Sequence, residues 1–189
     1  MQTMNTINFK NKKALIRVDF NVPLNSEFEV TDPTRIEAAK STIMKVLEDG
    51  GSAILMSHLG RPKGVEDQFS LRHIVEEVTK IIGVKVKFAT DCIGAVAEKA
   101  AKELQAGEVL LLENLRFHSE EKKGDVRFAE QLAKLGDVYV NDAFGAAHRA
   151  HASTAVVADF FQDDKCFGNL LAKEIESIRK VLELSLIHI

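Results

Sequence analysis

Basic and amide side chains follow the ends of four short apolar segments of the chain. Arg17 lies in the first segment, and Asp19, Phe20 and Asn21 come directly after it. The other three segments are followed by Ser57-His58-Leu59-Gly60-Arg61, by Glu113-Asn114-Leu115-Arg116-Phe117-His118, and by Asn141-Asp142 with His148, Arg149 and His151 beyond. Arginine holds phosphate or carboxylate groups through two parallel hydrogen bonds from its planar guanidinium. The pattern therefore predicts an anion site, although the formal net charge of the chain is -3.

Alternating strands and helices would bring these side chains together. Apolar segments at 14–18, 53–56, 84–88, 109–112 and 138–140 are separated by stretches with apolar residues at helical spacing. This alternation predicts an α/β fold: an open, mostly parallel, twisted sheet with helices on both faces. The carboxyl ends of parallel strands share one edge of a sheet, and ligands bind outside that edge, so we expect the four basic segments to meet there.

Local signals add detail to this fold. Four polar residues precede helical stretches and are predicted to cap them, namely Asp32, Ser70, Asp91 and Asp125. Residues 23–30 predict a small hairpin or a surface excursion. The segment 109–112 is apolar throughout, which is typical of a strand buried on both faces. Lysines alternate with apolar residues in 84–88, so we expect that strand nearer an edge.

The C-terminal part departs from the alternation. Leu171, Ile175, Ile178 and Leu182 predict one more amphipathic helix, and no strand follows it in this sequence. Two interpretations stay open, a connector to a further domain and a helix that folds back on the same domain.

Composition excludes several classes of protein. The chain is 46% hydrophobic and 28% charged, as in soluble globular domains. Its net negative charge argues against a nucleic-acid partner. The sequence has no long apolar run and no signal peptide, which argues against a membrane partner. We therefore expect a cytoplasmic location. Cys92 and Cys166 are isolated and lack metal-ligand spacing, which predicts reduced thiols and no metal site.

Each candidate residue also has a plain structural explanation. Asp19 and Asn21, at alternating positions after a strand, can reach one ligand or satisfy backbone groups in the turn before Pro23. Arg35 lies in the first turn of a helix, where a cation is unfavourable unless it meets an anion or points into solvent. No GxxxxGK[ST] or GxGxxG motif occurs, so side chains must hold the anion.

Four motifs together resemble the phosphoglycerate kinases, over about residues 7–182. They are Arg17-Val18-Asp19-Phe20-Asn21-Val22-Pro23, Ser57-His58-Leu59-Gly60-Arg61-Pro62, Glu113-Asn114-Leu115-Arg116-Phe117 and the run Asn141-Asp142-Ala143-Phe144-Gly145-Ala146-Ala147-His148-Arg149-Ala150-His151-Ala152-Ser153. The resemblance implies a cytoplasmic, monomeric, two-lobed glycolytic enzyme that transfers a phosphoryl group from ATP to the carboxylate of 3-phosphoglycerate. The products are 1,3-bisphosphoglycerate and ADP.

The resemblance also implies roles for individual residues. Asp19 and Asn21 would bind the hydroxyl and carboxylate end of the substrate, and Arg35 would reach the transferring phosphoryl group as the catalytic residue. His58, Arg61, Arg116 and Arg149 would hold the substrate phosphate. Phe20, Leu59 and Gly60 complete the implied substrate contacts, and Arg17, His148 and His151 would lie behind them.

The sequence differs from the family in lacking the nucleotide-binding lobe and its glycine-rich loop. We expect a substrate-binding domain at 1–168, an interdomain helix at 169–184 and a foreign tail at 185–189. Mg-ATP or Mg-ADP would then bind the absent lobe, and the chain alone would be inactive. The alternatives are a non-catalytic anion-binding α/β domain and, less well supported by the acidic composition, a nucleic-acid binder.

Overall fold

The apolar segments form strands and the stretches between them form helices in the computed structural model, which describes residues 2–146 and 150–186. The strands are β1 (Gln2–Thr3), β2 (Lys13–Arg17), β3 (Ser52–Met56), β4 (Val86–Ala89), β5 (Val109–Leu112), β6 (Val138–Asn141) and β7 (Lys165–Phe167). The α-helices are α1 (Thr34–Glu48), α2 (Val75–Ile82), α3 (Gly94–Glu103), α4 (Glu120–Lys123), α5 (Val126–Ala133) and α6 (Asn169–Leu186). Short 3₁₀ turns include Leu71–Ile74, Leu115–Phe117 and Phe144–Ala146.

Within the described residues the strands form one seven-stranded sheet in the order β1-β7-β6-β2-β3-β5-β4. Every neighbouring pair is parallel. The predicted α/β class with a parallel sheet is confirmed, but the prediction of five strands is wrong. Strands β1 and β7 have two and three residues, too few to show an apolar alternation in the sequence. Strand β4 lies at an edge, as predicted.

Neighbouring residues of the central strands face opposite sides of the sheet. Leu15 and Ile54 pack in a core with α3 and α5, whereas Ile16 and Leu55 pack in a second core with α1 and α2. All four are fully buried. This arrangement gives three layers, helix on sheet on helix, and explains why the central strands are apolar at successive positions.

Most of the predicted helix caps are present. Ser70 and Asp125 each accept a hydrogen bond from a backbone N–H in the first turn that follows. Asp32 does the same just before α1. The prediction for Asp91 is wrong, because its carboxylate accepts from the N–H of Cys92 at 2.7 Å and α3 begins only at residue 94. Residues 23–30 form the predicted hairpin, with one antiparallel bridge.

The C-terminal helix α6 begins at the predicted residue and is anchored by its first turn. The N–H of Asn169 donates to the hydroxyl of Thr42 on α1 at 2.9 Å, and Leu171 is buried. Further along, Ile175 and Ile178 are 40% and 47% exposed. The helix thus folds back at its start and carries uncovered apolar side chains later. None of the helices in the described part of the chain combines the length and the apolar composition needed to cross a bilayer.

Candidate functional site

A cleft of about 270 Å³ lies at the carboxyl edge of the sheet. Four adjacent strands, β6, β2, β3 and β5, end at this edge, and the segments that follow them supply most of the lining. The lining residues are Asp19, Asn21, Arg35, His58, Gly60, Arg61, Arg116 and Gly145. Among the described residues, three arginines, one histidine and a single carboxylate therefore line the cleft. Of the four basic segments predicted to meet, those after β3 and β5 bring basic side chains to the cleft, joined by Arg35 of α1, and the cleft has the charge of an anion site.

The carboxylate in the cleft has a cationic partner. Arg35 Nη1 donates to Asp19 Oδ2 at 2.6 Å, with the two side chains 52% and 17% exposed. This pair explains how a cation is tolerated in the first turn of α1, because a neighbouring anion offsets the helix dipole. A Cβ at Gly145 would lie 2.9 Å from the same Asp19 oxygen, so this position admits no larger residue without movement.

Asn21 links the segments that follow β2 and β3. Its Oδ1 accepts a hydrogen bond from the N–H of Gly60 at 2.8 Å while the residue lines the cleft. The N–H of Asn21 lies 3.5 Å from Asp19 Oδ1. These side chains therefore satisfy backbone groups, as one of the two explanations from the sequence has it, and they also line the cleft, where contact with a ligand stays a prediction.

The loop that carries His58 and Arg61 is held by the next segment along the sheet. Asn114 Nδ2 donates to the carbonyls of Leu59 and Phe69, each at 2.8 Å, and Arg116 Nη1 donates to the carbonyl of Gly60 at 2.7 Å. Gly60 has a φ of +63°, and a Cβ there would lie 2.4 Å from the Phe69 ring. The loop therefore needs glycine at this position, for backbone conformation and for space.

A buried carboxylate supports this loop from behind. Glu113 accepts from the hydroxyl of Ser70 at 2.6 Å and from the N–H groups of Leu71 and Asn114 at 2.8 and 2.7 Å. Sequence reasoning assigned no role to Glu113 or Asn114. The available signal was a polar pair placed immediately after a strand of four buried apolar residues.

A buried hydrogen-bonded network lies beneath the cleft. Arg17 is 1% exposed, and it donates from Nε to Ser153 Oγ at 2.9 Å, from Nη2 to His58 Nδ1 at 3.2 Å and to the carbonyl of Val18. Ser153 Oγ in turn donates to Glu121 Oε1 at 2.6 Å. Burial lowers the pKa of Arg17, and the charge of Glu121 acts in the opposite direction. Glu121 and Ser153 were not found from the sequence.

The same network sets the tautomer of His58. A guanidinium nitrogen can only donate, so Nδ1 of His58 accepts from Arg17 and the ring proton resides on Nε2. His58 is 7% exposed and lines the cleft.

The remaining predicted site residues take different positions. Phe20 and Leu59 are buried and are not among the residues that line the cleft. His151 lies on the buried network, with Nδ1 3.8 Å from Glu121 Oε1. His148 and Arg149 lie outside the described residues.

The cleft is not suited to a magnesium ion. Among its described lining residues the one carboxylate, on Asp19, is already paired with a guanidinium, and the other charged groups are cations. Hard divalent cations take oxygen ligands, mostly carboxylates and waters. The arrangement therefore favours an anionic ligand that is held by side chains.

Comparison with known proteins gives the family. The family model described as "Phosphoglycerate kinase" matches residues 4–186. The chain belongs to the phosphoglycerate kinase family. It is 50% identical to the phosphoglycerate kinase of Porphyromonas gingivalis and 54% identical to that of Moorella thermoacetica, in each case over 95% of this chain. These matches cover 49% and 45% of those proteins, so the chain spans about half the length of the curated relatives that it matches.

Solved phosphoglycerate kinases have the same fold over this region. The structure from Coxiella burnetii superposes with a TM-score of 0.84 at 35% identity, and the one from Pyrococcus horikoshii with 0.86 at 32%. Each covers 95% of this chain, and the chain covers 44% and 45% of theirs. The resemblance seen in four motifs therefore extends to the whole described fold.

Proposed function

We propose that the cleft binds 3-phosphoglycerate and that the chain acts as the N-terminal, substrate-binding part of a phosphoglycerate kinase. The observation that carries this proposal is the set of three arginines and one histidine around a small cleft at the carboxyl edge of the sheet. The substrate carries a phosphate, a carboxylate and a hydroxyl. A cleft that combines several cations with one carboxylate and one amide matches those groups.

The cleft supports a division of roles along the substrate. Arg61, Arg116 and the Nε2–H of His58 would hold the phosphate, joined by Arg149. At the end of the substrate that carries the hydroxyl and the carboxylate, Asp19 would accept hydrogen bonds, and Asn21 would accept or donate them. Arg35, which is half-exposed at the mouth of the cleft, would approach the transferring phosphoryl group when a nucleotide is present.

The proposed chemistry requires no general base. An α-carboxyl has a pKa of about 3.5, so the substrate carboxylate is already ionised at neutral pH. Its oxygen attacks the γ-phosphorus of ATP, the bond from that phosphorus to the bridging oxygen breaks, and the products are 1,3-bisphosphoglycerate and ADP. Catalysis then rests on position and on neutralising charge, which Arg35 would do from this side. Water must be excluded because an acyl phosphate hydrolyses, and closure of two lobes would achieve that.

The nucleotide is assigned to a part of the enzyme outside this sequence. Supporting this, the sequence has no phosphate-binding glycine loop, and the cleft does not suit a magnesium ion. We further propose a monomeric, cytoplasmic glycolytic enzyme with neither membrane nor nucleic-acid partners. The relatives from tobacco and wheat are named as cytosolic phosphoglycerate kinases, which agrees with that location.

Calorimetric titration of the 189-residue chain tests the proposal. We expect saturable binding of 3-phosphoglycerate that is unchanged by Mg-ATP, and no binding of Mg-ATP itself. Inorganic phosphate bound as tightly as 3-phosphoglycerate would favour the alternative, a general anion-binding domain. Binding of an oligonucleotide with a steep salt dependence would favour the nucleic-acid alternative.

A further inference from the structure

Three groups typical of metal ligands converge on the side of the sheet edge beyond Arg116. Asp91 and Cys92 follow strand β4, and His118 follows the 3₁₀ turn that carries Arg116. One ligand atom from each of the three lies within 4.8 Å of the others, and His118 Nε2 is 2.8 Å from Asp91 Oδ1. Asp91 and His118 are 27 positions apart, so the sequence showed no metal-ligand spacing.

We propose that Asp91, Cys92 and His118 bind one zinc-class divalent cation, Zn²⁺ or its analogue Co²⁺. Thiolate, imidazole and carboxylate are the ligands that zinc takes in proteins, commonly with a water in the fourth position of a tetrahedron. The side chains of Asp91 and His118 are 42% and 28% exposed, whereas Cys92 is buried beneath them. This arrangement leaves the Asp91–His118 side open for the entry of an ion and for a bound water.

Small movements would complete the coordination. Metal–ligand distances of 2.0–2.3 Å place tetrahedral zinc ligands about 3.3–3.8 Å apart. The hydrogen-bonded pair of His118 and Asp91 would open slightly from 2.8 Å, and the sulfur would close on them. The ring proton of His118 moves from Nε2 to Nδ1, and the thiol of Cys92 releases its proton to solvent. The cation then binds at Nε2 and Sγ, where the two protons had been.

The electrostatic surroundings of the sulfur favour a cation. The carboxylates of Asp91, Glu121 and Glu113 lie near enough to interact electrostatically with the Cys92 sulfur. Their negative charge stabilises a divalent ion at the same place. The thiolate and the carboxylate of Asp91 balance the two charges of the ion, so the complex is neutral.

Nearby lysines act in the opposite direction. Lys63, Lys122 and Lys123 line an adjoining cleft that also includes His118, and Lys123 Nζ donates to Ser119 Oγ at 3.3 Å. They would repel a free cation on approach but interact weakly with a neutral complex. We therefore expect the affinity for the cation to come from coordination by the Cys92 thiolate and not from the charge of the surrounding surface.

Cobalt spectroscopy tests the proposal on the whole chain. Apo protein in a non-thiol reductant is titrated with Co²⁺ and the thiolate-to-cobalt charge-transfer absorption is recorded. We expect the band to saturate at one equivalent and to disappear when Zn²⁺ is added. The absence of a band in excess Co²⁺ would overturn the proposal, as would a band that Zn²⁺ does not displace.

Variants assign the band to these residues. Cys92→Ser should abolish it, whereas Cys166→Ser, which changes the other buried cysteine, in β7, should retain it. His118→Gln should lower cobalt affinity at least about tenfold, since even residues behind a metal ligand have effects of that size. If Cys92→Ser does not fold by circular dichroism, the partly exposed His118→Gln decides alone. Retention of the band in Cys92→Ser, or unchanged affinity in His118→Gln, would contradict the assignment. None of these readouts depends on the proposed phosphoryl transfer.

Discussion

The three arginines of the cleft are restrained in different ways at the level of single residues. Arg116 is bonded to the carbonyl of Gly60, and Arg35 is paired with Asp19. Arg61 is exposed and has no hydrogen bond or ion pair among residues 2–146 and 150–186. Arg61 is thus a cation available to a ligand, and Arg116 also organises the loop. Under the proposed function, Arg35 would exchange Asp19 for the transferring phosphoryl group.

Arg61→Ala and Arg116→Ala should each weaken 3-phosphoglycerate binding by about 1–3 kcal/mol, because each removes a charge-assisted contact. Isothermal titration calorimetry of the chain measures the change. Arg127→Ala, an exposed arginine on α5 outside the cleft, is the matched control and should bind as the parent does. Unchanged affinity in both cleft variants would contradict the site assignment.

Arg35→Ala in a full-length enzyme should lower kcat more than it raises KM for 3-phosphoglycerate. The reason is that Arg35 is assigned to charge that develops in the transition state. Steady-state kinetics separates the two parameters. Arg72 is a suitable control, since it is a similarly exposed arginine paired with Asp67 at 2.6 Å and lies outside the cleft. A higher KM with an unchanged kcat in the Arg35 variant would refute this role.

At the level of elements, the site depends on how loops and helix ends are anchored. The loop after β3 is fixed by the backbone conformation of Gly60 and by hydrogen bonds from Asn114 and Arg116. The start of α6 is fixed by Asp142, whose Oδ1 accepts from the N–H of Leu171 at 3.2 Å. Asp142 is buried and Gly60 has a positive φ, so a single substitution at either residue should change the measured stability.

Gly60→Ala should destabilise the chain by about 1–3 kcal/mol and weaken substrate binding, because the new Cβ meets the Phe69 ring at a positive φ. Urea unfolding measures the first effect and calorimetry the second. Gly64→Ala, four residues along the same loop, is the control, because its Cβ would meet nothing within 4 Å. Equal stabilities of the two variants would show that the loop tolerates a side chain at residue 60.

Asp142 should make stability depend on pH. Burial raises its pKa to about 6 from an ordinary 3.8, against the opposing effect of hydrogen bonds from Thr42 and the start of α6. The folded chain therefore binds this proton more tightly than the unfolded chain. The stability contributed by Asp142 is complete below about pH 4 and is lost as the pH rises through about 6, by about 3 kcal/mol in total.

Asp142→Asn removes this titration. The free energy of unfolding of the variant, relative to the parent, should therefore rise between about pH 4 and about pH 8. Urea denaturation at several pH values measures it, and Asp163→Asn, at an exposed carboxylate, should show no such trend. A parent–variant difference that is constant with pH would mean that Asp142 is ionised throughout.

At the level of the whole molecule, one sheet and two cores among the described residues support the cleft, and the chain spans about half the length of the related enzymes. Under the proposed function this cleft binds the substrate, and the sequence has no phosphate-binding glycine loop. Ile175, Ile178 and Val181 on α6 are 40%, 47% and 66% exposed, so within the described part of the chain this stretch of the helix has an uncovered apolar side.

The 189-residue chain alone should unfold cooperatively and should give only background turnover in a coupled assay with Mg-ATP and 3-phosphoglycerate. A phosphoryl donor with no fixed position loses the rate enhancement that comes from orientation. The same assay on a full-length relative is the positive control. Turnover that coelutes with this chain on a sizing column would show that it carries its own nucleotide site.

The sequence by itself determined the class of fold, most of the strands and helices, and the presence of a basic cleft. Those features depend on local periodicity, on capping residues such as Ser70 and Asp125, and on residues placed directly after strands. The short strands β1 and β7 were missed because they are recognisable only by their pairing, β1 with β7 and β7 with β6.

Only the tertiary structure decided which distant residues meet. It placed β6 beside β2, so that Arg17 bonds Ser153 across 136 positions, and it brought Asp91 and Cys92 to His118. It also moved Phe20 and Leu59 into the core, although they lie within the basic motifs. The physical reason is that periodicity determines only on which face of its own strand or helix each side chain lies. Strand order and buried polar partners follow from packing the whole sheet.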